Sequence, residues 1–252
     1  MIELHGIAKR YHGEAVVEDV SFSLPTQKII AFIGSNGAGK STILSIIGRL
    51  IAATAGVVCI DGKDLTAWNT RELAKHLTVL SQTTHMTTRL TVEELVRFGR
   101  FPHSHGKMSA EDLRIVEQAL EYTELTALRD RFLDELSGGQ RQTAYIAMGI
   151  AQDTRYILLD EPLNNLDMRR SVKVMKLLRN LVDEKGKTIL IVIHDINFVS
   201  FHADYIVALK NGRLRHAGSV EEIIRQDVLR DIYDMDIAIE QYNGKQICVY
   251  YE

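Results

Sequence analysis

Lys28-Ile29-Ile30-Ala31-Phe32-Ile33, running into Gly34-Ser35-Asn36-Gly37-Ala38-Gly39-Lys40-Ser41-Thr42, is the stretch on which the reading of this chain turns. Residues 28–33 form a compact apolar run of strand length. Residues 34–41 fit the phosphate-binding pattern G-x-x-x-x-G-K-[ST]. Beyond it, apolar residues at 43, 44, 46, 47, 50 and 51 predict a mostly buried helix over 41–51. In such a strand–loop–helix, glycines let the backbone wrap so that its N–H groups face phosphate oxygens, and the helix N-terminus adds partial positive charge. Lys40 supplies a point charge for β- and γ-phosphates, and the Ser41 hydroxyl can ligate Mg²⁺. A glycine-rich turn matches this pattern by accident on the order of once in a hundred chains of this length; the flanking strand and helix lower that further.

Working outward, Ile157-Leu158-Leu159-Asp160-Glu161 is an apolar strand ending in two carboxylates. Asp160 falls where it can hold the Mg²⁺ shell, and Glu161 can serve as general base on an attacking water. Alone, an acidic strand end is commonplace; downstream of a phosphate loop it is the expected partner. Between the two lies Leu136-Ser137-Gly138-Gly139-Gln140, small residues opening a long helix that runs through Ala151. Its N–H groups and the Ser137 hydroxyl form a second place for a phosphate.

The rest of the chain sorts into α/β alternation around a helical middle. Residues 16–24 alternate as a half-buried strand, and 57–60 run into Asp61-Gly62, a hairpin-turn dipeptide. Thr91-Val92-Glu93-Glu94 reads as a capping box, and Ser109 as the cap of a helix with Leu113, Val116 and Leu120 on its inner face. Residues 156–160 and 188–194 are β-rich without alternation, as in parallel strands covered on both faces. An amphipathic helix spans 168–184 between them, and further hairpins turn at Asn211-Gly212 and Asn243-Gly244. The expected organisation is one domain over 1–252, with an α/β core at about 1–85 and 153–252 and a helical insert at about 86–152.

Composition excludes several classes. With 46% hydrophobic and 25% charged residues the chain has the make-up of an ordinary globular protein, and 252 residues bury a core without disulfides. A net charge of −3 leaves no basic footprint for nucleic acid. Cys59 and Cys248, each in an apolar run, suggest no disulfide framework. Met1-Ile2-Glu3-Leu4-His5 lacks the basic-then-apolar pattern of a secretion leader, and no apolar run approaches the ~20 residues that span a bilayer. Any membrane role is expected through docking onto a separate membrane subunit.

On the LSGGQ pentapeptide, together with the two motifs above, the chain resembles the ABC ATPases over nearly its whole length. The resemblance implies a P-loop NTPase (RecA-like) core with an N-terminal antiparallel β subdomain and an inserted helical subdomain. It implies ATP and Mg²⁺, and a head-to-tail homodimer in which each ATP lies between one subunit's loop (residues 34–42) and the other's Ser137, Gly138, Gly139 and Gln140. By the same resemblance Tyr11 stacks on adenine, Gln82 senses Mg²⁺ and water, Asp167 is the aspartate of the D-loop, and His194 contacts the γ-phosphate. Asp167 also stands where it would cap the helix from Met168. Two departures stand out: Asn164-Asn165 replace smaller residues, and the helix after the signature, Gln142-Thr143-Ala144-Tyr145-Ile146-Ala147-Met148-Gly149, lacks arginines that many relatives carry.

Gly99-Arg100-Phe101-Pro102-His103, with His194-Asp195-Ile196-Asn197 and Leu209-Lys210-Asn211-Gly212-Arg213, looks like the ATPases of ferric siderophore, haem and vitamin B12 importers. His103 and His105 lack nearby Cys or Asp partners and do not read as metal ligands. The expectation is the ATPase of a ferric siderophore importer at the cytoplasmic face of the membrane. It would work with permease subunits and, indirectly, a substrate-binding protein. The alternatives are a haem or vitamin B12 importer and an ABC protein of nucleic-acid repair or translation. That last group usually has coiled-coil inserts, zinc motifs or paired cassettes, none of which this sequence has.

Overall fold

The computed structural model describes residues 1–81, 89–104, 106–164 and 166–250. The chain begins with β1 (Ile2–Tyr11), β2 (Glu14–Leu24), β3 (Ile29–Ile33), α1 (Lys40–Ile47), β4 (Ala55–Ile60) and β5 (Lys63–Asp64). Next come α2 (Thr70–His76), β6 (Leu77–Leu80), α3 (Val92–Phe98), α4 (Phe101–Ser104), α5 (Ala110–Tyr122), α6 (Gly138–Ala151), β7 (Tyr156–Asp160) and α7 (Met168–Lys185). It ends with β8 (Thr188–Val192), α8 (Ile196–His202), β9 (Tyr205–Lys210), β10 (Arg213–Ser219), α9 (Val220–Ile223), α10 (Gln226–Tyr233), β11 (Ala238–Tyr242) and β12 (Lys245–Val249). These elements form two compact units, Met1–Trp68 with Thr188–Glu252, and Asn69–Lys187.

In the first unit, β2-β1-β4-β5 is an antiparallel sheet. Its turns His12-Gly13 and Asp61-Gly62 both place two successive residues at positive φ, as a tight two-residue hairpin demands. The same geometry recurs at Asn211-Gly212 and Asn243-Gly244. Beside this sheet in the unit, β3 pairs in parallel with β8 on one side (Ile29↔Ile189, Phe32↔Val192) and β9 on the other (Ile30↔Tyr205, Ile33↔Ala208). Every residue of β3 and β8 is buried, which is why neither alternates in sequence. The predicted strand 188–194 stops at Val192, because the Asp195 carboxylate already accepts from the N–H groups of Asn197 and Phe198 to start α8.

The predicted helix 41–51 is shorter than expected, ending at Ile47. Arg49 turns to a φ of +54°, so Leu50, counted above as apolar face, is 56% exposed. The periodicity ran on through a turn.

In the second unit, β6 and β7 pair in parallel (Leu77↔Tyr156, Leu80↔Leu159), and the Thr78 and Thr154 hydroxyls meet at 2.8 Å. Helices α3, α5 and α6 pack around Val92, Leu95, Val96, Val116, Leu120 and Ala147. Three of its helices start on reciprocal capping boxes: Thr91 with Glu94, Ser109 with Asp112, and Ser137 with Gln140. Leu113, expected on the inner face of α5, is 43% exposed; the buried stripe runs Asp112, Val116, Ala119, Leu120 instead. On that stripe Asp112 forms a buried ion pair with Arg100.

Candidate nucleotide site

The loop of residues 34–39 joins the fully buried β3 to α1, as the sequence predicts. Gly34 sits at φ +134°, and a Cβ there would lie 2.1 Å from the Leu209 carbonyl oxygen, so only glycine lets the loop leave the sheet at this point. Ser35, Asn36 and Gly37 are exposed, while Ala38, Gly39 and Lys40 are buried. The Lys40 Nζ donates to the carbonyl oxygens of Gly34 (2.8 Å) and Ser35 (2.9 Å), which folds the ammonium back over its own loop. Among the described residues no side chain caps the N-terminus of α1, and its first turn contains no acidic residue. The partial positive charge of that terminus is therefore left for an anion, in contrast to the side-chain-capped α6 and α7. Ser41 and Thr42 follow, half-buried, in the first turn.

Other predicted positions in this unit lie at strand ends. Tyr11 closes β1 and is 44% exposed, with the Lys9 ammonium 5.0 Å from its ring centroid. His194 is exposed just beyond β8. Tyr233, which the sequence reading missed, ends α10 and hydrogen-bonds the Gly34 backbone; burial, the dominant cause, pushes its hydroxyl up to about 12. Nothing local marks it, since the contact joins distant parts of the chain.

In the second unit, Asp160 is the last residue of β7 and Glu161 follows at φ +52°. The Asn164 amide donates to the Glu161 carboxylate, so one of the two asparagines that depart from the family pattern holds the candidate base. Ser137 caps α6: its Oγ accepts from Gln140 N–H (3.3 Å), and its own N–H donates to Gln140 Oε1 (3.0 Å). Gly138 faces open space, whereas Gly139 lies under the Arg170 side chain. Asp167 caps α7, its Oδ1 accepting from Arg170 N–H at 2.8 Å. His103 is half-buried, its Nε2 3.0 Å from the Gln152 carbonyl oxygen, and burial lowers its pKa. Gln82, His105 and Asn165 lie outside the described residues.

Among the described residues, no group of three or more His, Cys, Asp or Glu could hold a metal ion. Ser41 in the first unit offers a hydroxyl and Asp160 in the second a carboxylate. Each is an oxygen donor of the kind Mg²⁺ takes alongside water and substrate phosphates.

The family model described as ABC transporter matches residues 17–164. The chain belongs to the ABC transporter family. It is an ATPase of the cassette type, with the α/β fold of that family. The petrobactin import ATP-binding protein YclP of Bacillus subtilis is 53% identical over 100% of both chains. The iron(3+)-hydroxamate import ATP-binding protein FhuC of Bacillus subtilis is 40% identical over 96% of this chain and 91% of its own. The solved dimer of the ATP-binding cassette MJ0796, in a post-hydrolysis state with ADP and Pi, matches with a TM-score of 0.78 at 31% identity, over 87% of this chain and 99% of that one. Among the described residues no helix is long and apolar enough to cross a membrane.

Proposed function

We propose that this ABC ATPase powers uptake of a ferric siderophore through a separate membrane permease, peripheral to the cytoplasmic face of the membrane. The observation that carries the ATPase chemistry is the uncapped, acid-free N-terminus of α1 beside the buried Lys40, a cradle for phosphates. The cargo reading is supported by full-length likeness to siderophore import proteins such as the petrobactin and hydroxamate relatives.

In this reading the N–H groups of residues 35–42 and the Lys40 ammonium bind the β- and γ-phosphates, while Tyr11 stacks on adenine. Mg²⁺, when bound, neutralises charge on the phosphate oxygens, with Ser41, Asp160 and Gln82 as the groups that would hold its shell. Glu161 takes the proton of the attacking water, oriented by the hydrogen bond from Asn164. His194 contacts the γ-phosphate. Ser137, Gly138, Gly139 and Gln140 meet the ATP held by a second copy, with Asp167 at the same interface. Closure of that head-to-tail dimer drives the permease, and a substrate-binding protein delivers the cargo to it.

The test is a deletion strain under iron limitation, supplied with ferric petrobactin or a ferric hydroxamate. Uptake is lost on deletion, returns with this chain, and does not return with Glu161→Gln. Unchanged uptake of both chelates in a strain without redundant importers removes the cargo assignment and leaves the ATPase.

A further inference from the structure

The signature serine is held by more than its own helix. Arg170, three residues into the turn that Asp167 caps, reaches from α7 to Ser137, and its Nη1 donates to the Ser137 Oγ at 2.9 Å. The arginine is anchored at its root: its backbone N–H goes to Asp167 Oδ1 (2.8 Å) and its Nε lies 3.6 Å from Asp167 Oδ2. Its side chain lies across Gly139, where an added Cβ would fall 2.4 Å from Nη1 and 2.6 Å from Cδ. Gly139 thus provides the seat for Arg170, while Gly138 leaves the approach from outside open.

The hydrogen-bond inventory of Ser137 then decides the direction of its proton. A hydroxyl has two acceptor sites and one donor. Both acceptor sites are taken, one by Gln140 N–H and one by the guanidinium, and the Ser137 backbone N–H is bound to the Gln140 side chain. What remains for an incoming group is the O–H proton, which must point away from both donors. The adjacent guanidinium draws electron density from the oxygen, making that proton a stronger donor. It also sets a fixed positive charge beside it. An acceptor of high negative charge fits this arrangement.

We propose that Arg170 is a positioning residue for the signature, fixing Ser137 as a proton donor toward the γ-phosphate on the partner copy and tying it to Asp167. This rests on the head-to-tail reading given above and deepens it. Arg170 acts through the serine, so its effect must disappear when the hydroxyl is gone.

The experiment measures ATP-driven dimerisation in the Glu161→Gln background, by analytical ultracentrifugation, for Arg170→Ala, Ser137→Ala and the pair. Fluorescent-ATP binding is followed at concentrations where the protein is monomeric. Loss of a hydrogen bond to a charged group is worth roughly tenfold. The expected result is dimerisation about tenfold weaker in Arg170→Ala, with monomer nucleotide affinity unchanged. In the Ser137→Ala background, Arg170→Ala adds no further loss. If Glu161→Gln dimerises and Ser137→Ala weakens it, yet Arg170→Ala has no effect, only this inference falls. An equal loss with and without the hydroxyl also overturns it, since Arg170 then acts elsewhere. If Glu161→Gln fails to dimerise with ATP at all, the head-to-tail reading falls and takes the inference with it.

Discussion

Arg100 and Asp112 meet at 2.9 Å, Nε to Oδ1, with both side chains less than a tenth exposed. The guanidinium also donates to the Ala151 carbonyl oxygen (3.0 Å), and the carboxylate accepts from the Ser109 N–H and hydroxyl. One ion pair therefore joins α5, the end of α6 and the turn before α4. Breaking such a pair leaves a buried charge without compensation, at a cost of about 3–5 kcal/mol. Arg100→Met and Asp112→Leu are each expected to lose that much in urea unfolding. The double variant, which buries no charge, should recover most of the loss. A double variant no better than the singles would show that the hydrogen bonds, not the charges, dominate.

The same carboxylate gives a pH signature. The hydrogen bonds from Ser109, side chain first and then backbone, hold Asp112 at about 2 against an ordinary value of 3.8, with Arg100 adding to them over the opposing effect of burial. A folded pKa below the unfolded one means that the contribution is complete above about pH 4 and is lost as pH falls toward 2. The stability gap between the native chain and Asp112→Asn should therefore shrink steadily from pH 4.5 to pH 2.5. A gap that stays constant over that window would rule out this linkage.

Gly34 and Gly37 both have positive φ, but only one meets the backbone. Alanine at Gly34 adds left-handed strain to a 2.1 Å clash with the Leu209 carbonyl oxygen, which cannot move without breaking β9. Alanine at Gly37 meets nothing within 4 Å and carries the strain alone. Gly34→Ala should lose about 3 kcal/mol of stability and at least tenfold in ATP affinity, and Gly37→Ala about 1 kcal/mol of stability. Thermal melts and fluorescent-ATP titration read both. Equal stability losses would mean that β9 gives way and the close approach is not limiting.

Much of this architecture could be read from short-range patterns because short-range physics enforces it. Asp61-Gly62, Asn211-Gly212 and Asn243-Gly244 turn hairpins since aspartate or asparagine with glycine tolerates two positive φ values in succession. Thr91 and Ser109 open helices because each has an acidic partner three residues on. The loop of residues 34–41 is likewise written in contiguous residues. Periodicity fails where a turn or a buried charge interrupts it. Leu50 continues an apolar pattern beyond a helix already stopped at Gly48-Arg49, and Leu113 is exposed on a helix whose buried stripe includes Asp112, paired with Arg100. What stayed hidden in the candidate site is tertiary. Tyr233 against Gly34, and Arg170 against Ser137, are contacts between residues whose local sequence carries no trace of the partner.

Asn164 offers the sharpest test of the candidate base. Its amide donates to the Glu161 carboxylate from three residues downstream, at the turn where Glu161 itself adopts φ +52°. A general base acts only when its carboxylate is aimed at the water, and a positioned base is worth about 10²–10⁴ in rate. Glu161→Gln should therefore lower kcat by that order while ATP binding persists. Asn164→Ala keeps the base but removes one of the contacts that orient it, so kcat should fall by less, about 3–10-fold. Asn164→Asp places a second carboxylate against the first. The repulsion should turn the Glu161 carboxylate out of line, so kcat should fall at least as far as in Asn164→Ala. Stopped-assay phosphate release at saturating ATP measures all three. If Asn164→Ala and Asn164→Asp both match the native chain in kcat, the hydrogen bond has no part in setting the base.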